Sequence, residues 1–337
     1  MKSVSVIMAT LNSETTLERC LKSIREQNYD QKKNEIVIAD GGSKDKTLAI
    51  AEKYKAIVIH ENTGSPESAK SLAFKKSKGE IILVNDSDAI IPDKNWLKKM
   101  VSYFSKEKNI VGVYTWRYAH NRNDKPLNRY FSLLGANDPV AWFLGKTDRQ
   151  SYLDKKYRLF GKARDKGNYF LVKFSKNKIP TLGANGFLIK RKMLAKAKID
   201  EKHFSHIDVN WDLINLGFNK YVVVKNDIIH ASGESLTNFL RKRKKYMETL
   251  YLQNLQNRRY LIYERQRDRK KIIAYSLYSL SLIGPLIFSL KGFKKINDPA
   301  WFLHPVVCFL IFWIYFFSVI NWQAWNYLGM LRKKLKI

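Results

Sequence analysis

The run NDSD, Asn85 to Asp88, places two carboxylates one residue apart directly after the apolar stretch IILV. In an extended backbone, residues two apart project to the same side. Asp86 and Asp88 are therefore expected to face one cavity, with Ser87 turned away. Paired oxygen ligands of this kind suit Mg²⁺ or Mn²⁺, which take carboxylates, waters and substrate phosphates. The same residues also read as a turn, with Asp88 helping to cap a helix that begins near Pro92. Two more polar clusters follow apolar stretches, Thr10-Leu11-Asn12 and Asp40-Gly41-Gly42-Ser43. Ser43 and Asp45 suit the N-cap and the first turn of a helix. That role does not account for Asp40, a carboxylate closing an apolar strand, which could accept hydrogen bonds from a ribose or a base edge. No GxGxxG or GxxxxGK[ST] occurs, so dinucleotide and P-loop readings have no support.

The elements that must position these clusters alternate in period. SVSVIMAT, EIVIAD, AIVIHE and EIILVND read as strands. Between them, Leu17, Cys20, Leu21 and Ile24 recur at helical spacing, and helices are expected from about Asp45 to Tyr54 and from Ser65 to Ser77. Continuous apolar strands separated by helices imply a mostly parallel sheet covered on both faces, an α/β architecture. Such sheets bind ligands at the carboxyl ends of their strands, and all three polar clusters fall at that edge. From Val113 the rhythm is lost through an aromatic stretch (129–145) and a basic polar tract reaching Lys178. PTLGANGFLIKR then reads as strand-like, HFSHIDVNWDLINLGF as helical, and YVVVKNDIIH as a last strand ending at His230. With no Pro- or Ser-rich linker, residues 1–230 form one expected domain, with halves at 1–112 and 113–230.

The chain of 337 residues carries 61 basic and 30 acidic side chains, a net charge of +31. Such an excess predicts polyanionic partners. Its placement favours anionic lipid headgroups over nucleic acid. Residues 241–271 hold twelve Lys or Arg against three acids and end where an uncharged run, Ile272 to Leu290, begins. A second run, Pro299 to Leu331, has no Asp, Glu, Lys or Arg and a single histidine, His304. Both reach membrane-spanning length, and Trp301, Trp322, Trp325 and Tyr327 are placed like interfacial aromatics. The expectation is a segment of basic interfacial helices (231–271) followed by a transmembrane hairpin (272–337, helices at about 272–290 and 301–325). Basic flanks then place both termini and the catalytic domain in the cytoplasm of a multi-pass membrane protein. The alternative is a pair of buried core helices. The N-terminus is too short in apolar residues for a signal peptide. Cys20 and Cys308 offer no disulfide or metal framework.

Residues 3 to about 100 resemble the N-terminal half of family 2 glycosyltransferases, inverting enzymes with the GT-A fold. The segments that carry the resemblance are VIMATLN, IADGGSKDKT, KSKGE and NDSD followed by PDKNWL. It continues more weakly through GANGFLIKR, HIDVNWDLINLGF and IIHASGESL. The resemblance implies a nucleotide-diphosphate sugar donor, of UDP or GDP type, touching Thr10, Asn12 and Asp40. It also implies Mn²⁺ or Mg²⁺ held by Asp86 and Asp88, with His230 as a later ligand, and Lys70 near phosphate. Lys70 equally reads as a solvated helix lysine. The family's usual Glu-Asp pair before a helix, which supplies the base, is absent. His206 falls where the aspartate sits and Asp208 lies two further on. Asp208 is favoured as the base, with His206 and a more surface-placed Asp212 as alternatives. Trp211 could line an acceptor pocket or pack in the core. Lys245-Tyr246 loosely matches a segment that membrane-bound relatives place near the diphosphate, and the same stretch reads as a basic interfacial helix.

The leading expectation is transfer of a sugar to a lipid-linked or other membrane-associated acceptor at the cytoplasmic membrane face. A polyprenyl-phosphate glycosyltransferase is the second reading, since an ionised acceptor phosphate needs little base catalysis. A membrane-anchored polyanion-binding protein with a degenerate fold is the third.

Overall fold

The four apolar stretches of the first ninety residues become strands β1 (Val4–Thr10), β2 (Asn34–Asp40), β3 (Ile57–His60) and β4 (Ile81–Val84) in the computed structural model. The structure describes residues 2–62, 65–197, 199, 205–231, 235–253 and 258–334, and at 250, 265 and 325–334 the backbone alone. Trp325, Tyr327, the C-terminal residues 335–337 and part of GESL thus fall outside the described residues or side chains. The remaining strands are β5 (Ala89–Ile90), β6 (Gly112–Tyr118), β7 (Lys162–Asp165), β8 (Tyr169–Lys173), β9 (Phe187–Lys190) and β10 (Lys220–His230). Helices α1 (Glu14–Arg25), α2 (Thr47–Lys53), α3 (Pro66–Lys76) and α4 (Trp96–Lys106) alternate with the early strands. Later come α5 (Pro126–Leu134), α6 (Pro139–Phe143), α7 (Arg191–Leu194), α8 (His206–Asn215), α9 (Leu236–Tyr246), α10 (Arg265–Ser281), α11 (Ile283–Lys295) and α12 (Leu303–Lys334).

The strands form one sheet in the order β3-β2-β1-β4-β9-β6-β10-β8-β7, with β5 paired to the end of β10. Strands β3, β2, β1 and β4 run parallel, as their continuous apolar sequences require. Beyond them the sheet is mixed. β9 runs antiparallel between β4 and β6, and β8 is antiparallel to β10. Alternate residues of β1 feed opposite cores. Val6 and Met8 pack with Leu17, Cys20 and Trp96 on one face, and Ile7 packs with Ala69, Ala73 and Leu213 on the other.

A third core joins α5 and α6 to the C-terminal helices around Trp301, Val307 and Ile311. Inside it, Arg243 of α9 pairs with Asp138 at the start of α6, and Tyr263 and Tyr315 donate hydrogen bonds to the same carboxylate. The basic segment after residue 240 is therefore not uniformly a solvated face, because Arg243 is 5% exposed.

Three local expectations are corrected. α4 starts at Trp96 with Asn95 as N-cap, so neither Pro92 nor Asp88 opens it. α2 starts at Thr47 with Lys46 at the N-cap, and Asp45 serves it by accepting from the Thr47 N–H at 3.0 Å. The apolar run 272–290 is not one helix: α10 and α11 meet at 79° about Leu282, whose φ is 58°. Gly284 and Pro285 carry the signal for that break, since a proline removes a helical donor and disfavours the helical backbone of the residue before it. Among the described residues, one helix, Pro299–Ala324, is by itself long and apolar enough to cross a membrane.

Candidate active site

The carboxyl ends of β1, β2 and β4 bring the three polar clusters together, as the parallel sheet demands. Thr10 and Asp40 are register partners at the ends of β1 and β2. Asp40 is buried, and its carboxylate accepts four hydrogen bonds. They come from Thr10 Oγ1 (2.8 Å), Ser43 Oγ (2.6 Å), Ser43 N (2.7 Å) and Gly42 N (3.0 Å). Burial would raise its pKa, but the hydrogen bonds together hold it below the ordinary carboxylate value. Its visible work is to shape the loop after β2. Asn12, in the left-handed region at φ 49°, accepts from Lys44 N at 2.9 Å while its own N–H donates to Ser43 Oγ at 2.8 Å. The β1 and β2 loops are thus laced together beneath any ligand that would sit on them.

Asp86 and Asp88 lie in a turn, closed by Ala89 N donating to Asp86 O at 3.0 Å, and not in extended backbone. Asn85 locks that turn, donating to Ala89 O at 2.8 Å and Asp86 O at 3.2 Å. Each carboxylate has its own basic partner. Asp86 Oδ1 lies 2.8 Å from Lys70 Nζ, which α3 delivers in a residue only 8% exposed. Lys70 is therefore not a solvated helix lysine. Burial works against both charges, yet their mutual attraction wins, lowering the carboxyl pKa and raising that of the ammonium. Asp88 Oδ2 lies 3.4 Å from Nε2 of His230, at the end of β10. β5 pairs Ala89 with His230, and Ala231 N donates to Asp88 O at 2.8 Å, which fixes the register of that meeting.

His206, the first residue of α8, lies within electrostatic reach of Lys70, Asp86 and Arg258. Burial first, and then the two cations, push its pKa down to about 3 against the opposing pull of Asp86, so the imidazole is neutral at pH 7. Gly183, at φ +120°, allows this seat. A Cβ there would stand 2.9 Å from His206 Cβ and 2.8 Å from Asn210 Nδ2. Asp208 faces elsewhere. It is 2% exposed, accepts from Tyr260 N at 3.1 Å and sits 3.7 Å from Arg258 Nη1. Asp212 is buried too, 3.0 Å from Arg259 Nε, and so is not the surface residue expected. Trp211 packs against the second core. Lys245 is exposed on α9. Its neighbour Tyr246 reaches the site electrostatically by acting on Lys70.

The residues named from sequence thus divide. Thr10, Asn12, Asp40, Lys70, Asp86, Asp88, His206 and His230 share one sheet edge, whereas Asp208 and Asp212 turn toward residues 258–260. Sequence reasoning missed three contributors. Arg258 holds Glu67 of α3 at 2.7 Å and biases His206. Tyr118 packs against His230 with tilted rings, their centroids 5.3 Å apart. Arg149, fully buried, pairs with Asp148 at 2.6 Å and lies over the Tyr118 ring. Arg149 and Asp148 sit in a tract whose charge reads as solvated, and nothing in its spacing marks them as buried.

Among the described residues no three His, Cys, Asp or Glu side chains converge as a ready metal cluster. Asp88 Oδ2 and His230 Nε2, 3.4 Å apart, are the two groups that would hold a divalent cation, an oxygen and a nitrogen donor at one end of the sheet.

Residues 5–196 match the family model for glycosyl transferase family 2. That is more than half of the chain, and the chain belongs to this family. It is 33% identical over 117 residues to the poly(ribitol-phosphate) beta-N-acetylglucosaminyltransferase TarS of Staphylococcus aureus, covering 33% of this chain and 20% of that one. It is likewise 33% identical over 123 residues to the TarP enzyme of the same name and organism, covering 34% and 37%. The matched stretch thus spans about a fifth to a third of these relatives. Among solved structures, mannosyltransferase PcManGT from Pyrobaculum calidifontis, in complex with GDP-Man and Mn²⁺, superposes with a TM-score of 0.54 at 14% identity. The superposition covers 95% of this chain and 86% of that one, and it establishes the shared fold.

Proposed function

We propose that this family 2 enzyme moves a sugar, with inversion, from a nucleotide-diphosphate sugar to a lipid-linked or other membrane-associated acceptor at the cytoplasmic membrane face. The observation that carries the reading is the pairing at the end of β4. Asp86 with Lys70 and Asp88 with His230 put two carboxylates, a lysine ammonium and a histidine ring beside the neutral imidazole of His206 at the sheet edge. The laced loops of Thr10, Asn12 and Asp40 support a nucleoside platform. Lys70 and Arg258 offer positive charge to a departing diphosphate, and Lys70 reaches it by exchanging Asp86 for a phosphate oxygen. Asp88 and His230 would hold Mn²⁺ or Mg²⁺, with Asp86 beside them. A bound divalent ion supplies charge neutralisation for the leaving group.

The acceptor oxygen must lose a proton as it attacks. His206 suits this better than Asp208, because its imidazole is neutral and lies among the site residues while Asp208 is spent on Tyr260 N and Arg258. PcManGT is described with GDP-Man and Mn²⁺, and TarS and TarP act on poly(ribitol-phosphate), which supports a nucleotide-sugar donor and an anionic acceptor.

The test is a panel of UDP- and GDP-sugars offered with Mn²⁺ or Mg²⁺ to the full chain in detergent or nanodiscs. Turnover of one donor is expected, and Asp88→Asn should abolish it while circular dichroism stays native. Full activity in Asp88→Asn would overturn the metal assignment.

A further inference from the structure

A membrane-crossing hairpin would carry the loop between its arms to the side of the bilayer opposite the catalytic domain. The structure instead fastens that loop to the domain. Asp298 Oδ2 lies 2.8 Å from His120 Nε2 and 3.5 Å from Arg129 Nε. Lys295 Nζ donates to Leu153 O at 3.0 Å.

The long helix is fastened as well. Trp301, His304, Cys308, Ile311, Tyr315 and Ser318 recur at alternating spacings of three and four and are all buried, packed on α5, α6 and α9 as well as on α10 and α11. Tyr315 stands about 5 Å past the middle of Pro299–Ala324. It accepts a hydrogen bond from Arg243 Nε at 2.9 Å. The neighbours of Arg243 on α9, namely Arg241, Lys242, Lys244 and Lys245, are exposed. Were α12 to cross a bilayer, it would draw this cationic cluster toward the hydrocarbon centre, where charged side chains are costly.

The outward face is apolar all the same. Ile273, Leu277, Leu280, Ile283, Leu286 and Ile287 are between 42% and 66% exposed on α10 and α11. Exposed Arg269 and Lys270 precede this patch, and exposed Lys291 and Lys294 follow it. An apolar centre between basic margins is complementary to a leaflet of anionic lipid. Each limb of the bent pair offers about 20 Å or less of apolar helix, short of the ~30 Å hydrocarbon core.

We propose that α10 and α11, bent at Leu282, together with the outer face of α12, form a wedge seated in one leaflet of an anionic membrane, so that the chain is monotopic and crosses nowhere. This rests on the membrane part of the proposed function and is independent of the transfer reaction.

Two measurements test it on the full-length protein. Asn297→Cys in the inter-helix loop and Lys98→Cys on the catalytic domain, each labelled in intact cells and after lysis with an impermeant maleimide, should report the same side of the membrane. Native Cys20 and Cys308 are buried and stay silent. Opposite sides would overturn the wedge in favour of a spanning hairpin. Purified protein should also float with vesicles of phosphatidylglycerol and phosphatidylcholine. Leu277→Glu with Leu286→Glu, both exposed positions, should cut the bound fraction about tenfold or more. Absence of flotation would refute the proposal, and a dimer that those two substitutions dissociate would assign the face to a second copy instead.

Discussion

Replacing Lys70 with methionine keeps the length of the side chain and removes its charge. The pair it forms with Asp86 Oδ1 is 2.8 Å long, with the lysine side chain 10% and the aspartate side chain 33% exposed. Breaking a fully buried ion pair costs about 3–5 kcal/mol. Water reaches a third of the Asp86 side chain and solvates part of the orphaned charge, which leaves a cost of roughly 1–2 kcal/mol. For 337 residues that corresponds to a fall in Tm of about 1.5–3 °C. The effect on catalysis should be larger. If the ammonium turns to a departing diphosphate, losing it removes an interaction of the kind worth about 10²–10³ in rate. Thermal unfolding and kcat/KM for the accepted donor separate the two roles. In Lys70→Met combined with Asp86→Asn, stability should return toward that of the unsubstituted enzyme while kcat/KM stays low. A Lys70→Met enzyme within twofold of the original kcat/KM would refute the phosphate role and leave Lys70 as a counter-ion for Asp86.

Other outcomes follow from the same geometry. His206→Gln should lower kcat about 10²-fold or more with little change in KM, measured at saturating acceptor, whereas Asp208→Asn should chiefly lower Tm. His206 also makes a signed pH prediction. With a folded pKa of about 3 and an unfolded value near 6.5, the unfolded chain gains a proton that the folded site refuses. Its contribution is present above about pH 6.5 and is lost as pH falls toward 3, at no more than about 1.4 kcal/mol per pH unit, and His206→Gln should flatten that part of the stability profile. Asp40→Asn forfeits a charge-assisted acceptor for four donors and should raise donor KM more than it lowers kcat, measured by donor titration. Arg243→Met strands buried Asp138 and should cost about 3–5 kcal/mol by denaturant unfolding, with Arg243→Met/Asp138→Leu recovering much of it.

The sheet edge was legible because uninterrupted apolar strands state their own burial. Once β1, β2 and β4 are parallel neighbours, Thr10, Asp40 and Asp86 must share an edge. His230 was legible for the same reason, as the last residue of an apolar run. What the residues of α8 face was not legible. Asp208 and Asp212 are four apart and share one helix face, but the side they meet, residues 258–260, lies some 50 positions away and has no periodic signature. Lys70 read equally as a phosphate-side residue and as a solvated lysine, because the Asp86 that pairs with it lies on a different element. The apolar run 272–290 was misread as straight although Gly284 and Pro285 marked its break. Hydropathy counts side chains, and it is blind to whether a backbone can continue.

The placement of β9 has a consequence for how the site comes into being. Residues 187–190 lie hydrogen-bonded between β4 and β6, strands separated from each other by fewer than thirty residues in the chain. During synthesis β4 must wait for more than a hundred further residues before its outer edge is paired, and Asp88 waits longer still for His230. Closing contacts so distant in sequence is slow, and an unpaired apolar edge is an aggregation hazard while it lasts. A fragment ending near residue 112 would carry Asp86, Asp88 and the laced loops of Thr10, Asn12 and Asp40, yet keep that edge permanently open. The two halves are therefore one folding unit, and the enzyme acquires its chemistry only as its final strand is laid down.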